Sequence, residues 1–190
     1  MNVTSRFSSS TVLSGSILLS HPSLRDANFS KTVVFLSNHS ESDGTLGVIL
    51  NRPLCKKLHQ LDEQFKHFCL GDVNVYEGGP VDRDKLIIAA WDWKDHAESF
   101  RLYFGIDINK AESLFKECKG IKLACFLGHS GWSPGQLEEE LKLESWVLSS
   151  LNLNLFEAVD SQSDCWKSAL SGISDELGLM ARAPDKPWTN

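Results

Sequence analysis

The sequence lacks the hydrophobic runs that mark membrane-spanning and secreted proteins. No segment approaches the roughly 18 consecutive apolar residues of a membrane-spanning helix. Residues 1–11 are rich in Ser and Thr and contain no apolar stretch of the length that a signal peptide needs. We therefore expect a cytoplasmic protein with no membrane association, in which residues 1–10 form a loose N-terminal arm or add a strand or helix to the body.

Long runs of basic residues are also missing. The nearest approach to one is the pair Lys56–Lys57, and the formal net charge of the chain is -6. Proteins that bind nucleic acids usually present a basic face, because neutralising phosphates supplies much of their affinity. The charge therefore disfavours direct nucleic-acid binding, and it leaves open a basic patch that only the three-dimensional fold would assemble.

The cysteines and histidines lack the spacings of metal sites and disulfide frameworks. The chain has 5 Cys, no two of which are separated by two residues, and 6 His, no two of which stand four residues apart. The odd number of cysteines also argues against a disulfide framework. We expect reduced thiols that fill the core in a reducing compartment, with no bound metal and no cofactor.

A chain of 190 residues has the length of one domain, and we expect residues 1–190 to form a single one. Neither a mid-chain linker nor an internal repeat is recognisable. Segments that read as strands outnumber those that read as helices, and hairpin patterns alternate with strand–helix–strand patterns. This mixture predicts an α/β (α+β) fold with a mixed sheet flanked by helices rather than a regular parallel sheet.

Individual segments carry more specific predictions. Phe29–Ser37 and Thr45–Leu50 are expected to pair as antiparallel strands, because the turn Ser40–Gly44 between them ends in the hairpin dipeptide Asp-Gly. The run Val33–Leu36 is apolar at every position and so predicts a central strand. Apolar residues at three-to-four spacing predict a helix over Leu54–Phe68. A further helix over Cys165–Leu170 is expected to stop at Gly172.

The stretch with the most local sequence signals is Gly128–Leu141, which follows the predicted apolar strand Ile121–Leu127. Gly128 to Trp132 reads as a glycine-rich loop. A helix is expected to begin at Ser133, because Pro134 suits the first helical position and Ser133 with Gln136 matches a capping box. In that helix Leu137 and Leu141 would share the buried face, and Glu138, Glu139 and Glu140 would point to water.

Three parts of the sequence together resemble the AlgH-like family, also called the YqgE family, of small bacterial proteins. They are Gly15–Pro22 with Asn28–Val34 and Gly47–Pro53, then Glu77–Val81, then Gly128–Leu141 with Ser145–Trp146. The resemblance implies a cytosolic protein whose strongly twisted, branched sheet folds towards a pseudo-barrel. It brings a label of transcriptional regulation but no agreed catalytic residues. At His129 and Ser130 the chain departs from the Tyr and Ala that the family often has.

Ser130 is a candidate nucleophile, because it follows a strand and precedes a predicted helix. The nucleophile elbow of hydrolases has the pattern G-x-S-x-G, however, and here Trp132 stands where the second glycine belongs. His129 is the adjacent residue, and neighbours in a sharp turn rarely point at each other. Because of this mismatch, a non-enzymatic protein is the preferred interpretation, and a small hydrolase or transferase that uses Ser130 or His129 is the alternative.

The same stretch is a candidate anion site. Gly131, Trp132 and Gly135 surround the expected helix start, where free N–H groups and the helix dipole would attract a phosphate or a carboxylate. The structural alternative is that Ser133 already caps the helix and that the glycines only let strand and helix pack closely.

A second candidate lies at two strand ends, in Asn51–Arg52–Pro53 and Glu77–Gly78–Gly79–Pro80. Arg52 would clamp a carboxylate or phosphate through two parallel hydrogen bonds, with Glu77 as its partner or as a base. The structural alternative is an Arg52–Glu77 ion pair, with Gly78 and Gly79 supplying the dihedral angles of a turn. We favour the structural alternative for this pair.

Taken together, the residues predict a non-enzymatic binding or regulatory protein. Its partner would be a small anion or another protein, and the chain would be a monomer or a weak homo-oligomer. The candidate ligand-binding residues are Asn51, Arg52, Glu77, Gly78, Gly79, His129, Ser130, Gly131, Trp132, Gly135 and Gln136.

Overall fold

The computed structural model describes residues 13–94, 99–151, 155 and 164–184. The strands are β1 (Ser16–Ser20), β2 (Val33–Ser40), β3 (Gly44–Ile49), β4 (Pro53–Lys57), β5 (Asn74–Glu77), β6 (Val81–Lys94), β7 (Ser99–Phe104), β8 (Lys122–Trp132) and β9 (Trp146–Ser150). The helices are α1 (Leu58–Leu61), α2 (Ile108–Glu117), α3 (Gln136–Lys142), α4 (Cys165–Ile173) and α5 (Asp175–Arg182). Two 3-10 turns cover Glu63–His67 and Cys69–Asp72. The expected N-terminal arm, residues 1–10, lies outside the described residues.

The strands form one mixed sheet that branches at β8. The main path runs β4-β5-β8-β3-β2-β1-β9, and the β6–β7 hairpin joins it through β8. The first half of β8 pairs with β5 in parallel and with β6 in antiparallel fashion, and its last residues pair with β3. The expected fold class, a mixed and branched sheet flanked by helices, is confirmed.

The expected hairpin between the second and third strands is also confirmed. Strands β2 and β3 are antiparallel, with Val34 opposite Ile49 and Phe35 opposite Val48. All four residues of Val33–Leu36 are buried, because alternate side chains enter different hydrophobic clusters on the two faces of the sheet. The prediction that this continuous apolar run forms a central strand is therefore confirmed, since β2 pairs with β1 on one side and β3 on the other.

The largest cluster lies where both branches of the sheet face one another. It takes Ile17 from β1, Phe35 from β2, Val48 from β3, Tyr76 from β5 and Phe126 from β8, together with residues of β6 and α4. Helix α4 is fastened to this core by Trp166, whose indole N–H donates to the carbonyl oxygen of Ser20 at 2.9 Å. The smaller cluster on the opposite face of β1–β3 is covered by α3.

The helix predicted over Leu54–Phe68 is wrong. Its first residues form β4, and the remainder is the single turn α1 followed by the 3-10 turn of Glu63–His67. Leu54 and Phe68 are 36% and 41% exposed, so the apolar spacing does not face a core along its length. Pairing of β4 with β5 satisfies the backbone here instead, and tertiary pairing overrides the local pattern.

The glycine-rich segment Gly128–Trp132 is not a loop, because β8 continues through it. Helix α3 begins at Gln136, after Gly135 in a left-handed conformation with φ of 77°. Half of the expected capping box is present, since the side chain of Gln136 accepts from the Ser133 N–H at 3.0 Å. The predicted stop at Gly172 is also wrong, because α4 continues through it to Ile173.

At the branch of the sheet the backbone of Gly78, just after β5, lies in direct contact with the backbone of β8 at Gly128. Gly78 donates its N–H to the carbonyl oxygen of Leu127 at 2.7 Å and accepts from the N–H of Ile49 at 2.9 Å. A Cβ atom at Gly78 would lie 2.2 Å from the carbonyl oxygen of Gly128, far inside contact distance. The residue must therefore be glycine for β3, β5 and β8 to meet as they do.

We predict that Gly78→Ala lowers the free energy of unfolding by roughly 3 kcal/mol or more, because the new methyl group would have to displace backbone atoms. The matched control is Gly172→Ala, where an added Cβ would meet nothing within 4 Å. In the helix this control should be neutral or stabilising by up to about 1 kcal/mol. Urea unfolding measures both variants, and equal effects would contradict the close crossing.

Candidate functional site

The segments singled out by the sequence come together at the branch of the sheet. The N–H of Glu77 donates to the carbonyl oxygen of Arg52 at 2.9 Å, and Val81 at the start of β6 pairs with His129 of β8. Residues 51–53, 77–83 and 128–132 are thus neighbours in space. We call this set the junction.

Asn51 has a structural function within the junction. Its amide oxygen accepts from the N–H of Val33, and its amide N–H donates to the carbonyl oxygen of Lys31, both at 2.9 Å. Lys31 has a φ of 59°, and the two bonds hold the chain on either side of Thr32, the residue that follows this left-handed turn. The side chain of Asn51 is therefore occupied by backbone groups.

Arg52 and Glu77 form the ion pair that the sequence analysis favours. The Nη1 of Arg52 lies 3.9 Å from one carboxylate oxygen of Glu77. A second guanidinium, that of Arg83, approaches the other oxygen of the same carboxylate, with its Nη2 at 4.0 Å. The junction therefore contains two cations around one anion, and sequence reasoning missed one of the cations.

Arg83 could hardly be recognised from the sequence. It lies in the charged run Asp82–Lys85, which is typical of a solvated surface. The pairing of β6 with β8 is interrupted between Val81 and Leu86, and this irregularity allows Arg83 to reach Glu77. Within the run, Lys85 bonds Asp82 at 2.7 Å and holds the pKa of that carboxyl below its usual range, with a smaller contribution from nearby His129.

An open groove of about 460 Å³ lies between the turn that precedes β3, the start of β6 and the end of β8. Val81 and His129 line one side, Thr45 and Leu46 line the other, and Gly131 lies between them. Gly131 is exposed, and a Cβ atom there would meet only the His129 ring and Val81 at 3.9–4.0 Å. The groove is therefore open above Gly131.

Ser130 does not have the exposure that a nucleophile requires. The residue is 0% exposed, and its hydroxyl donates to the carbonyl oxygen of Gly78 at 3.2 Å. In the strand pairing it lies opposite Gly47. Its hydroxyl thus supports the crossing at Gly78, and a substrate has no access to it.

The anion site expected at a helix start is also built differently. Gly131 and Trp132 lie in β8 opposite Leu46 and Thr45, so they do not belong to the N-terminus of α3. The N–H of Ser133 is taken by the Gln136 side chain. The structural alternative, a capped helix with closely packed neighbours, describes this end of the junction better.

Trp132 lines the groove, and its ring belongs to an aromatic cluster in the core. Its ring is 4% exposed and stacks against Phe29 at 5.9 Å, with Trp146 edge-on at 5.7 Å. Both indole N–H groups donate to the same carboxylate oxygen of Glu140, at 2.9 Å from Trp132 and 2.7 Å from Trp146. The expectation that Glu140 points to water is wrong, because one carboxylate satisfies both indoles and joins α3 to the sheet.

Three of the thiols are held in the protonated form by burial. Burial raises the pKa of Cys125 to about 12 and that of Cys165 to about 11. Burial and the neighbouring Glu112 raise the pKa of Cys69 to about 12. All five cysteines are free.

In the described ranges no three His, Cys, Asp or Glu side chains are grouped as a metal site requires. None of the helices in those ranges is long and apolar enough to cross a bilayer.

We predict that Glu140→Ala lowers the free energy of unfolding by about 2 kcal/mol, because two partly buried indole donors lose their acceptor. Glu139→Ala is the matched control, since Glu139 is the exposed neighbour in the same helix. Its loss should stay below about 1 kcal/mol, the size of a helix-dipole effect. Chemical unfolding followed by tryptophan fluorescence measures both, and similar losses would show that Glu140 does not anchor the indoles.

Comparison with known proteins gives consistent results in sequence and in structure. The model of the AlgH-like family matches residues 17–178. A UPF0301 protein of Chlorobium phaeobacteroides is 32% identical over 183 residues, which cover 93% of this chain and 95% of that protein. A UPF0301 protein of Streptomyces coelicolor is 30% identical over 191 residues, covering 94% and 95%.

Solved structures share the fold. The solution structure of the AlgH protein from Pseudomonas aeruginosa matches with a TM-score of 0.63 at 26% identity, covering 94% of this chain and 98% of that one. A crystal structure from Corynebacterium diphtheriae matches with a TM-score of 0.66 at 22% identity, covering 90% and 92%. With the branched sheet and the three motif segments meeting at its junction, these matches establish that the chain belongs to the AlgH-like family.

Proposed function

We propose that this protein acts by binding, and that its ligand carries an anionic group held at the junction. The observation that carries the proposal is the pair of guanidiniums, Arg52 and Arg83, around the single carboxylate of Glu77, with Arg83 two residues along the chain from Val81, which lines an open groove. Guanidinium groups recognise carboxylates and phosphates through paired, charge-assisted hydrogen bonds. The arrangement thus has the chemistry of an anion receptor.

The groove supports a ligand that is larger than a bare anion. Val81 lines the groove and lies two residues from Arg83 in the same chain segment. Val81 is 40% exposed and Gly131 leaves the space above it open, so an apolar or neutral part of a ligand has a surface to contact. We therefore propose a ligand whose anionic end meets the arginines and whose body occupies the groove.

Binding is favoured over catalysis by the state of the candidate nucleophiles. A nucleophile must be exposed and must have a base within hydrogen-bond reach. Ser130 is buried with its hydroxyl bonded to Gly78, and burial keeps Cys125 and Cys165 in the thiol form. The hydrolase or transferase alternative, which the sequence placed on Ser130 or His129, therefore lacks Ser130 as a nucleophile and would depend on His129, which lines the groove.

The free thiols and the net charge of the protein support a proposed location and a proposed mode of regulation. We place the protein in the cytoplasm, where a reducing environment suits its five free cysteines. A regulatory function, as the family label suggests, would act through the ligand or a protein partner, because a net charge of -6 disfavours DNA. We propose a monomer or a weak homo-oligomer.

The proposal is tested by NMR titration of the uniformly ¹⁵N-labelled protein with inorganic phosphate, acetate, citrate and AMP. At least one probe should shift the backbone amides of His129, Gly131 and Arg83 together and in a saturable way. A titration in which none of these probes moves the junction would contradict the proposal. Binding of duplex DNA with a steep salt dependence would instead favour a direct DNA-binding regulator.

The groove is tested by Gly131→Leu, which fills the space above Gly131 without a backbone clash. We expect this variant to bind AMP at least about tenfold more weakly, since the body of the ligand would lose its place. Gly172→Leu is the matched control, because it makes the same change where nothing lies within 4 Å. Equal AMP affinity of the two variants would remove the groove from the proposal.

A further inference from the structure

The two arginines of the junction contact Glu77 and one further oxygen each. The Nη2 of Arg52 donates to the carbonyl oxygen of Ser30 at 3.4 Å, and the Nη2 of Arg83 donates to the side-chain oxygen of Asn28 at 3.3 Å. Both guanidiniums therefore converge on the same small region, between Glu77 and the segment 28–30. Arg52 lies between β3 and β4 and Arg83 lies in β6, so the fold itself brings them together.

These contacts are long for ion pairs. At 3.9 and 4.0 Å, the two Arg–Glu77 contacts exceed the 2.7–2.9 Å of a charge-assisted hydrogen bond. Elsewhere in the chain Lys85–Asp82 and Lys167–Asp164 are in direct contact at 2.7 Å. The carboxylate of Glu77 thus sits between two cations without a close bond to either, and the other contacts of the guanidiniums, to Ser30 and Asn28, are also long at 3.4 and 3.3 Å.

The local charge also favours an added anion. Two guanidiniums and one carboxylate leave a net charge of about +1 at the cluster, in a chain whose overall charge is -6. Two further carboxylates flank Arg83 along the chain: that of Asp82 is bonded to Lys85, and that of Asp84 interacts with the same Lys85 at longer range. The side chains of Arg52 and Glu77 are 27% and 33% exposed and that of Arg83 is 62% exposed, so solvent screens the Arg52–Glu77 pair less than it screens Arg83.

We propose that the junction binds a phosphate group between Arg52 and Arg83, and that Glu77 is the internal competitor that the phosphate displaces. A phosphate presents three terminal oxygens and carries more negative charge than the single carboxylate of Glu77, so it can accept charge-assisted hydrogen bonds from both guanidiniums at once. This inference rests on the proposed function and names the anionic group of its ligand. The phosphate is either free or the end of a phosphorylated small molecule whose body lies in the groove.

The test is isothermal titration with inorganic phosphate in a chloride buffer of constant ionic strength. Arg52→Met and Arg83→Met should each weaken phosphate binding by about tenfold or more, because each removes one charge-assisted contact. Arg52→Lys keeps the charge and loses the fork, so it should give an intermediate loss. Arg182→Met is the charge-matched control on α5, far along the chain from the junction, and should leave the affinity unchanged within about twofold.

Glu77→Gln separates the proposal from a purely structural ion pair. If Glu77 competes with the ligand, this nearly isosteric change should tighten phosphate binding by about tenfold, although it removes the ion pairs with both arginines. Weaker binding by Glu77→Gln would overturn the proposal, as would a loss in Arg182→Met equal to that in Arg52→Met. Absence of phosphate binding in both the wild type and Glu77→Gln would overturn it as well.

Titration with AMP distinguishes free phosphate from a phosphorylated small molecule as the ligand. Together with citrate and acetate it also separates the phosphate assignment from the more general anion-binding function. If AMP binds more tightly than inorganic phosphate and only AMP is weakened by Gly131→Leu, the ligand is a phosphorylated small molecule. If both bind alike and neither responds to Gly131→Leu, the ligand is free phosphate. If citrate or acetate moves the junction while phosphate and AMP do not, the phosphate assignment fails and the proposed anion-binding function remains.

Discussion

One close contact between two backbones governs the shape of this protein. The peptide at Gly78 bridges Ile49 and Leu127 by hydrogen bonds and lies directly against the carbonyl group of Gly128. A strand normally has two partners, but here β8 has three, because β5 leaves it where β3 joins it. The branch is possible only if no side chain separates the crossing segments, and Gly78 and Gly128 meet that condition.

The positions of the charged groups follow from this crossing. Arg52 is fixed beside Glu77 because the carbonyl group of Arg52 accepts from the Glu77 N–H immediately before the crossing. Arg83 reaches the same carboxylate because β6 enters the sheet at Val81, opposite His129, and then leaves the regular pairing. The glycines therefore shape the junction, and the arginines around it supply the chemistry that we assign to binding.

The features that could be predicted from the sequence are those that local patterns determine. The β2–β3 hairpin follows from an Asp-Gly turn between apolar runs, and the Arg52–Glu77 pair follows from two strand ends next to glycines. The prediction of a helix over Leu54–Phe68 is wrong because only Leu58 and Phe65 of the spaced apolar residues are buried, and the first residues pair as β4 with β5 instead. The prediction of a loop at Gly128–Trp132 is wrong because glycines are typical of loops, whereas here they allow a neighbouring strand to approach β8 closely. Arg83 and Glu140 escaped prediction because their partners, Glu77 and the two indoles, are assembled by the fold.

The central claim is that Arg52 and Arg83 together form a phosphate receptor that Glu77 occupies in the absence of ligand. A crystal structure of the protein grown with inorganic phosphate, paired with one grown in chloride alone, tests it most directly. The account predicts one phosphate within about 2.8 Å of nitrogen atoms from both guanidiniums, with the Glu77 carboxylate turned away from them. A phosphate-grown crystal in which Glu77 still lies between the two arginines, with no phosphate bound there, would contradict the account.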